Sequence, residues 1–160
     1  MKHLILGLTS LFPALGIVTS TPLAASEDEK GAVTRVLADY YSAFSKLDPQ
    51  AILPYYHEPS LLMGPQGVVA VPTHAAMVAT FTPAMEGLRA RGYGRSELSG
   101  LRIKLLSATT ALAGGIAVRY KADGQELERV GVTYLLHKAD SRWRIAVTVI
   151  HDTDHVPRIE

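Results

Sequence analysis

The dipeptide Asp123-Gly124 lies between two long β-rich runs, IAVRYKA and QELERVGVTYLL, and constrains this chain more than any other feature. Asp-Gly in that setting is the strongest short-range signal for a two-residue hairpin, because both central residues of the turn need positive φ. Such a loop sets Ala122 opposite Gln125, Lys121 opposite Glu126 and Arg119 opposite Glu128. Two opposite-charge pairs then face each other across the strands, as cross-strand pairing favours. The other face carries Ile116, Val118 and Tyr120 with Leu127, Arg129, Gly131 and Thr133.

A second tight turn is expected at Asp140-Ser141 in LLHKADSRWRIAVTVIHD. A two-residue loop there pairs Ala139 with Arg142, Leu135 with Ala146 and Thr133 with Thr148, and carries Arg129 to a place opposite Asp152. A three-residue loop would change which faces match. In the two-residue register one face holds Arg129, Gly131, Thr133, Leu135, Ala146, Thr148, Ile150 and Asp152. The opposite face holds Val130, Val132, Tyr134, Leu136, Trp143, Ile145, Val147 and Val149. Both faces are apolar, unlike a sheet with one wet side. One face is therefore expected to meet helices, and the outer one, with Trp143, to meet a second copy in a homodimer.

Glu97 to Asp152 thus reads as one curved antiparallel sheet, and the preceding segments as its cover. SEDEKGAVTRVLADYYSAFSKLDP carries a capping-box pattern, Ser26 with Glu29, and an apolar stripe of Val33, Val36, Leu37, Tyr40, Phe44 and Leu47. Asp48-Pro49 stops that helix, and Pro49 opens a short second one shortened or kinked by Pro54. SLLMGPQGVVAVP reads as a small hairpin turning at Gly64-Pro65-Gln66-Gly67. A helix follows, N-capped by Thr73, striped with Met77, Phe81, Met85 and Leu88, and expected to kink or divide at Pro83.

The 160 residues, 48% of them hydrophobic, suit one domain with a real core. Net charge is +1 with no basic block, which gives no electrostatic footprint for nucleic acid. With no cysteine, disulfides, thiolate metal sites and cysteine nucleophiles are excluded. MKHLILGLTSLFPALGIVTSTPLAAS has a short basic start, an apolar run and small residues at Ala24-Ala25-Ser26, the pattern of a secretory signal. The expected organisation is a signal peptide over 1–25 cleaved near Ala25, a domain over 26–155 and a tail over 156–160. The mature protein is expected to be exported, periplasmic or secreted, and free of the membrane.

YYSAFSKLDPQAILPYYHEPSLLMGPQG and the close YLLHKADSRWRIAVTVIHD resemble the nuclear transport factor 2-like superfamily. That α+β cone fold includes ketosteroid isomerase, scytalone dehydratase, limonene epoxide hydrolase and SnoaL-like polyketide cyclases. The resemblance implies helices packed on a curved antiparallel sheet around a cone-shaped pocket. It sets Tyr40 at the isomerase's oxyanion-hole tyrosine, Gly64 at its general base and Thr133 near its second carboxylate. Without a base that proton shuttle is disfavoured. The carboxylate–Arg–carboxylate set of the epoxide hydrolases is matched only in part, by Arg129 and Asp152.

The candidate ligand-binding residues are Tyr40, Met63, Phe81, Tyr120, Arg129, Thr133, Thr148 and Asp152. Arg129, oriented by Asp152, would hold an anion; the same pair also reads as a structural ion pair at the sheet rim. Tyr40 and Thr133 would supply hydrogen bonds, and Met63 and Phe81 an apolar wall. His57 is a candidate base. His151, Asp152, Asp154 and His155 suggest a metal, but neighbouring strand residues point to opposite faces, so no metal or cofactor is expected. Three readings remain open. The first is a SnoaL-like binding domain for a small apolar or weakly acidic molecule. The second is a lyase or isomerase of a hydrophobic carbonyl compound, with His57 or Asp152 as base and Tyr40 as electrophile. The third is an interaction module whose pocket its own side chains fill.

Overall fold

The structure is a computed structural model describing residues 22–159, with side chains from residue 26 onward. Two helices and six strands follow in the order α1 (Pro22–Phe44), β1 (Tyr56–Gly64), β2 (Gly67–Val71), α2 (His74–Ala90), β3 (Tyr93–Leu105), β4 (Thr110–Lys121), β5 (Glu126–Ala139) and β6 (Arg142–His151). Single 3-10 turns occupy Leu53–Tyr55 and Thr153–His155. Most of the expected leader lies outside the described residues. α1 already begins at Pro22, so Ser26 sits within the helix and is not its cap.

The class is α+β with a curved sheet, as expected, but the sheet is mixed. Its order is β2-β1-β6-β5-β4-β3, and β1 runs parallel to β6. The small hairpin thus extends the main sheet. α1 and α2 cover the inner face. Val33, Leu37, Tyr40, Tyr41 and Phe44 of α1 are buried there with Met77, Met85 and Leu88 of α2. From the sheet they meet Ala111, Ala113, Val132, Tyr134, Leu136, Trp143 and Ile145. Thr73 caps α2 by accepting from the Ala76 amide at 3.2 Å, and the helix continues through Pro83.

Register shifts within the strands decide what faces inward. At the Asp123-Gly124 tip the Lys121 amide donates to Gln125 O at 2.8 Å, so the loop has three residues and closes with Gly124 at φ 87°. Lys121 therefore does not oppose Glu126. Leu127 is the extra residue that restores the expected register, and Arg119 lies opposite Glu128. At the other hairpin the two-residue loop is present, with Asp140 and Ser141 at φ 51° and 59°. Beyond it the register shifts between Leu135 and Leu136, and Ala146 is bulged out. Leu135 thus pairs with Val147 and Thr133 with Val149, while Tyr134 pairs with Thr148. A one-residue slip exchanges faces, so Thr148 and Ile150 turn inward and Val147 and Val149 outward. Further shifts lie between Tyr93 and Arg95 and between Ser99 and Arg102 of β3, where Gly100 has φ 63°, and between Tyr56 and Leu61 of β1.

Trp143 lies before the bulge and is inward, not on a partner face. It is 3% exposed, and its Nε1 donates to Glu29 at 2.8 Å. Lys138 bonds the same carboxylate, so Glu29 ties α1 to the β5–β6 turn. On the outer face the chain's own C-terminal segment lies over Gly114, where a Cβ would touch Pro157, Ile159 and Val156 at 3.5–3.6 Å.

Candidate functional site

Between α1, α2 and the inner face of the sheet lies a cavity of about 620 Å3, within the range of small-molecule sites. α1 contributes Tyr40, Tyr41 and Phe44 to it because residues three and four apart share one face of a helix. α2 contributes Thr80, Phe81, Pro83, Ala84, Gly87 and Leu88. The strands add Tyr56, Leu62, Met63, Ser96, Ala117, Arg119, Val132, Tyr134, Thr148 and Ile150, with Gln66 and Arg91 from the connections. Tyr40 stands at the centre of the aromatic wall. Its ring centroid lies 5.3 Å from Tyr41, 5.6 Å from Tyr56, 6.0 Å from Phe44 and 6.3 Å from Tyr134.

Five hydroxyls converge on this wall. Tyr40 and Tyr56 are bonded at 3.2 Å, Tyr56 and Thr148 at 3.3 Å, and Tyr41 and Tyr134 at 2.7 Å. The first group has three O–H protons and two mutual bonds; the second has two protons and one bond. Each group is left with one O–H proton that makes no bond within the group. Burial pushes the Tyr40 and Tyr134 hydroxyls well above the ordinary tyrosine range and raises Tyr41 and Tyr56 as well. Arg119 acts against this at Tyr40 and Tyr41 but is outweighed. The phenols therefore stay protonated near neutral pH and act as donors, not bases. No carboxylate or imidazole is among the described residues lining the cavity.

Tyr40, Met63, Phe81 and Thr148 from the sequence reading line this one cavity. Tyr120, Arg129, Thr133 and Asp152 do not. Arg129 is exposed and pairs with Glu126, because the bulge at Ala146 breaks the register that would have aligned it with Asp152. Asp152 is 84% exposed and lies 3.9 Å from His155. Thr133 faces outward and bonds His151 Nε2 at 2.9 Å, and Tyr120 lies under the Arg95 guanidinium at 4.2 Å. His57 packs against His137, ring centroids 5.4 Å apart, away from the cavity. The turn after β6 brings Asp152, Asp154 and His155 within 4.8 Å of one another, all exposed. Sequence reasoning missed Tyr41, Tyr56, Tyr134, Arg91 and Arg119 as lining residues. For Tyr134 the alternation of β5 placed it on the face opposite the chosen one, and for Arg119 the expected cross-strand pair with Glu128 accounted for its charge without a cavity.

No described helix is long and apolar enough to cross a membrane. No curated protein matches the sequence. Several solved structures share the fold. An NTF2-like protein with a cystatin-like fold from Novosphingobium aromaticivorans is 17% identical with a TM-score of 0.70, covering 88% of this chain and 94% of its own. A protein of unknown function from Nostoc punctiforme is 18% identical with a TM-score of 0.66, covering 87% and 98%. A putative scytalone dehydratase from Novosphingobium aromaticivorans is 14% identical with a TM-score of 0.61, covering 80% and 86%. At such identities these likenesses speak to the fold alone. A family model described as NTF2-like protein (DUF6841) matches residues 27–153, and the chain belongs to that NTF2-like family.

Proposed function

We propose that this domain binds, without transforming, a small and largely apolar molecule that carries at least one hydrogen-bond-accepting oxygen. The observation that carries the reading is the pairing of an aromatic-walled cavity of about 620 Å3 with two hydroxyl groups of residues that each hold a spare proton. The apolar walls favour transfer of the ligand from water, and the hydroxyls orient it. The lyase or isomerase reading has less support. Its bases, His57 and Asp152, stand outside the cavity, so Tyr40, although held protonated as an electrophile must be, has no base beside it among the described lining residues. Export of the mature protein and absence of a nucleic-acid partner stay part of the proposal, from the leader pattern and the near-neutral charge. So does a homodimer through the outer sheet face. There the C-terminal segment already occupies the ground over Gly114, which leaves Ile116, Leu135, Val147 and Val149 for a second copy.

The test is titration with the neutral fluorophore N-phenylnaphthylamine, followed by competition with naphthyl methyl ketone and with ethylnaphthalene. Saturable binding of one fluorophore per chain is expected, with the ketone the better competitor. No saturable binding of fluorophore or competitors would overturn the proposal.

A further inference from the structure

The polar groups of the cavity are not all neutral. Arg119, on β4, and Arg91, which caps α2, both line it, and both reach the same carboxylate, Glu128 of β5. Arg119 Nη1 bonds Glu128 Oε1, and Arg91 Nη1 bonds Oε2. Two guanidinium charges thus share one carboxylate, and Glu128 itself is not part of the cavity lining. The remaining guanidinium N–H groups of Arg91 and Arg119 make no other hydrogen bond among the described residues. Arg119 is mostly buried, its side chain 20% exposed, and lies 5.8 Å from the Phe44 ring centroid. Three neighbouring arginines are engaged elsewhere: Arg129 with Glu126, Arg95 with Glu97, and Arg89 with the Leu47 carbonyl at 2.9 Å.

A cavity wall with excess positive charge, spare N–H groups and no acid of its own favours an anion over a neutral ligand of the same shape. A partly desolvated guanidinium strengthens that preference, because the ion pair is less screened than at the surface. Its planar fork also suits a carboxylate better than a point charge would. We propose that the molecule taken up is an amphipathic monoanion, with an apolar body against the aromatic wall and a carboxylate at Arg119 and Arg91, where it completes the charge balance begun by Glu128. This rests on the binding function proposed above and names the class of ligand for the same cavity. The anion-holding arginines are thus two that the strand register turns inward and the end of α2 supplies, not Arg129.

The experiment is calorimetric titration at neutral pH with straight-chain carboxylates from hexanoate to dodecanoate and with the corresponding primary amides, which match them in shape and keep the carbonyl oxygen. The acid is expected to bind about ten- to a hundredfold more tightly than its amide, the size of a charged hydrogen bond gained. Arg119→Gln should erase most of that ratio, lowering acid affinity far more than amide affinity. Arg91→Gln, at a more exposed site, should reduce the ratio even if Arg119→Gln fails to fold. Glu128→Gln should raise acid affinity by freeing both guanidinium groups. Equal affinity of acid and amide in the unmodified protein, or weaker acid binding in Glu128→Gln, overturns the anion assignment while leaving the apolar site standing. Failure of both series, together with failure of the neutral fluorophore to bind, overturns the site itself.

Discussion

Ala117→Leu distinguishes an open cavity from a core filled by its own side chains. Ala117 is 3% exposed, faces inward on β4 and lines the cavity. Leucine adds three carbon atoms. In a close-packed interior they would force neighbours off their rotamers at a cost of roughly 1–3 kcal/mol. Projecting into a cavity of about 620 Å3, they meet no such resistance. At about 0.8 kcal/mol per carbon if fully covered, they could add up to about 2.4 kcal/mol of stability. The open edge of the cavity leaves them partly wetted, so we expect a change between zero and about 1 kcal/mol stabilising. For a domain of this size that is a rise in Tm of up to about 5 °C. The same carbons occupy ligand space, so affinity for N-phenylnaphthylamine should fall about tenfold or more. Thermal melts and fluorophore titration of the variant measure both. A Tm lower by several degrees, with fluorophore binding unchanged, would refute the open-cavity reasoning.

Other consequences follow from the same contacts. Tyr134→Phe leaves the buried Tyr41 hydroxyl without its 2.7 Å partner and should cost about 1–3 kcal/mol, whereas the double variant with Tyr41→Phe should cost less than the sum of the singles; a double-mutant cycle by urea unfolding measures the coupling. The hydrogen bond from Lys138, then that from Trp143, holds the Glu29 pKa below its unfolded value of 4.5, so its stabilisation is present above that pH and lost as pH falls through the folded value; Glu29→Gln should flatten the acid limb of stability against pH. Arg129→Ala removes only an exposed pair with Glu126, and both its stability and its fluorophore affinity should stay within about 0.5 kcal/mol of the unmodified protein. Removal of residues 156–160 uncovers the outer face at Gly114 and should cost roughly 1–2 kcal/mol, while light scattering at micromolar concentration reports whether a second copy then covers it.

The parts of the fold legible in the sequence were those written in local signals. Asp140-Ser141 turns where it was expected, Thr73 caps α2, and the apolar stripe of α1 buries Val33, Leu37, Tyr40 and Phe44. The features that escaped depend on single-residue irregularities in strands, for which period-two alternation gives no warning. The bulge at Ala146 moved Thr148 and Ile150 to the inner face and detached Arg129 from Asp152. Trp143, before that bulge, went under α1, where Glu29 fixes it. The parallel union of β1 with β6 escaped as well, since it joins segments some 80 residues apart with no turn between them to advertise the pairing. Candidates on the two helices, Tyr40 and Phe81, reached the cavity, as did Met63 of β1. Of those placed by carrying a hairpin register outward, Thr148 reached it with a different partner, Tyr134, whereas Arg129, Thr133 and Asp152 did not.

The measurement that bears most directly on the central claim is mass spectrometry of the small molecules released on denaturing the protein purified from cells that make it naturally. The account predicts one stoichiometric compound, apolar in its body and bearing a carboxylate, retained by Arg129→Ala and lost from Ala117→Leu. A protein that releases nothing, and whose melting temperature no apolar acid or amide raises, would contradict it.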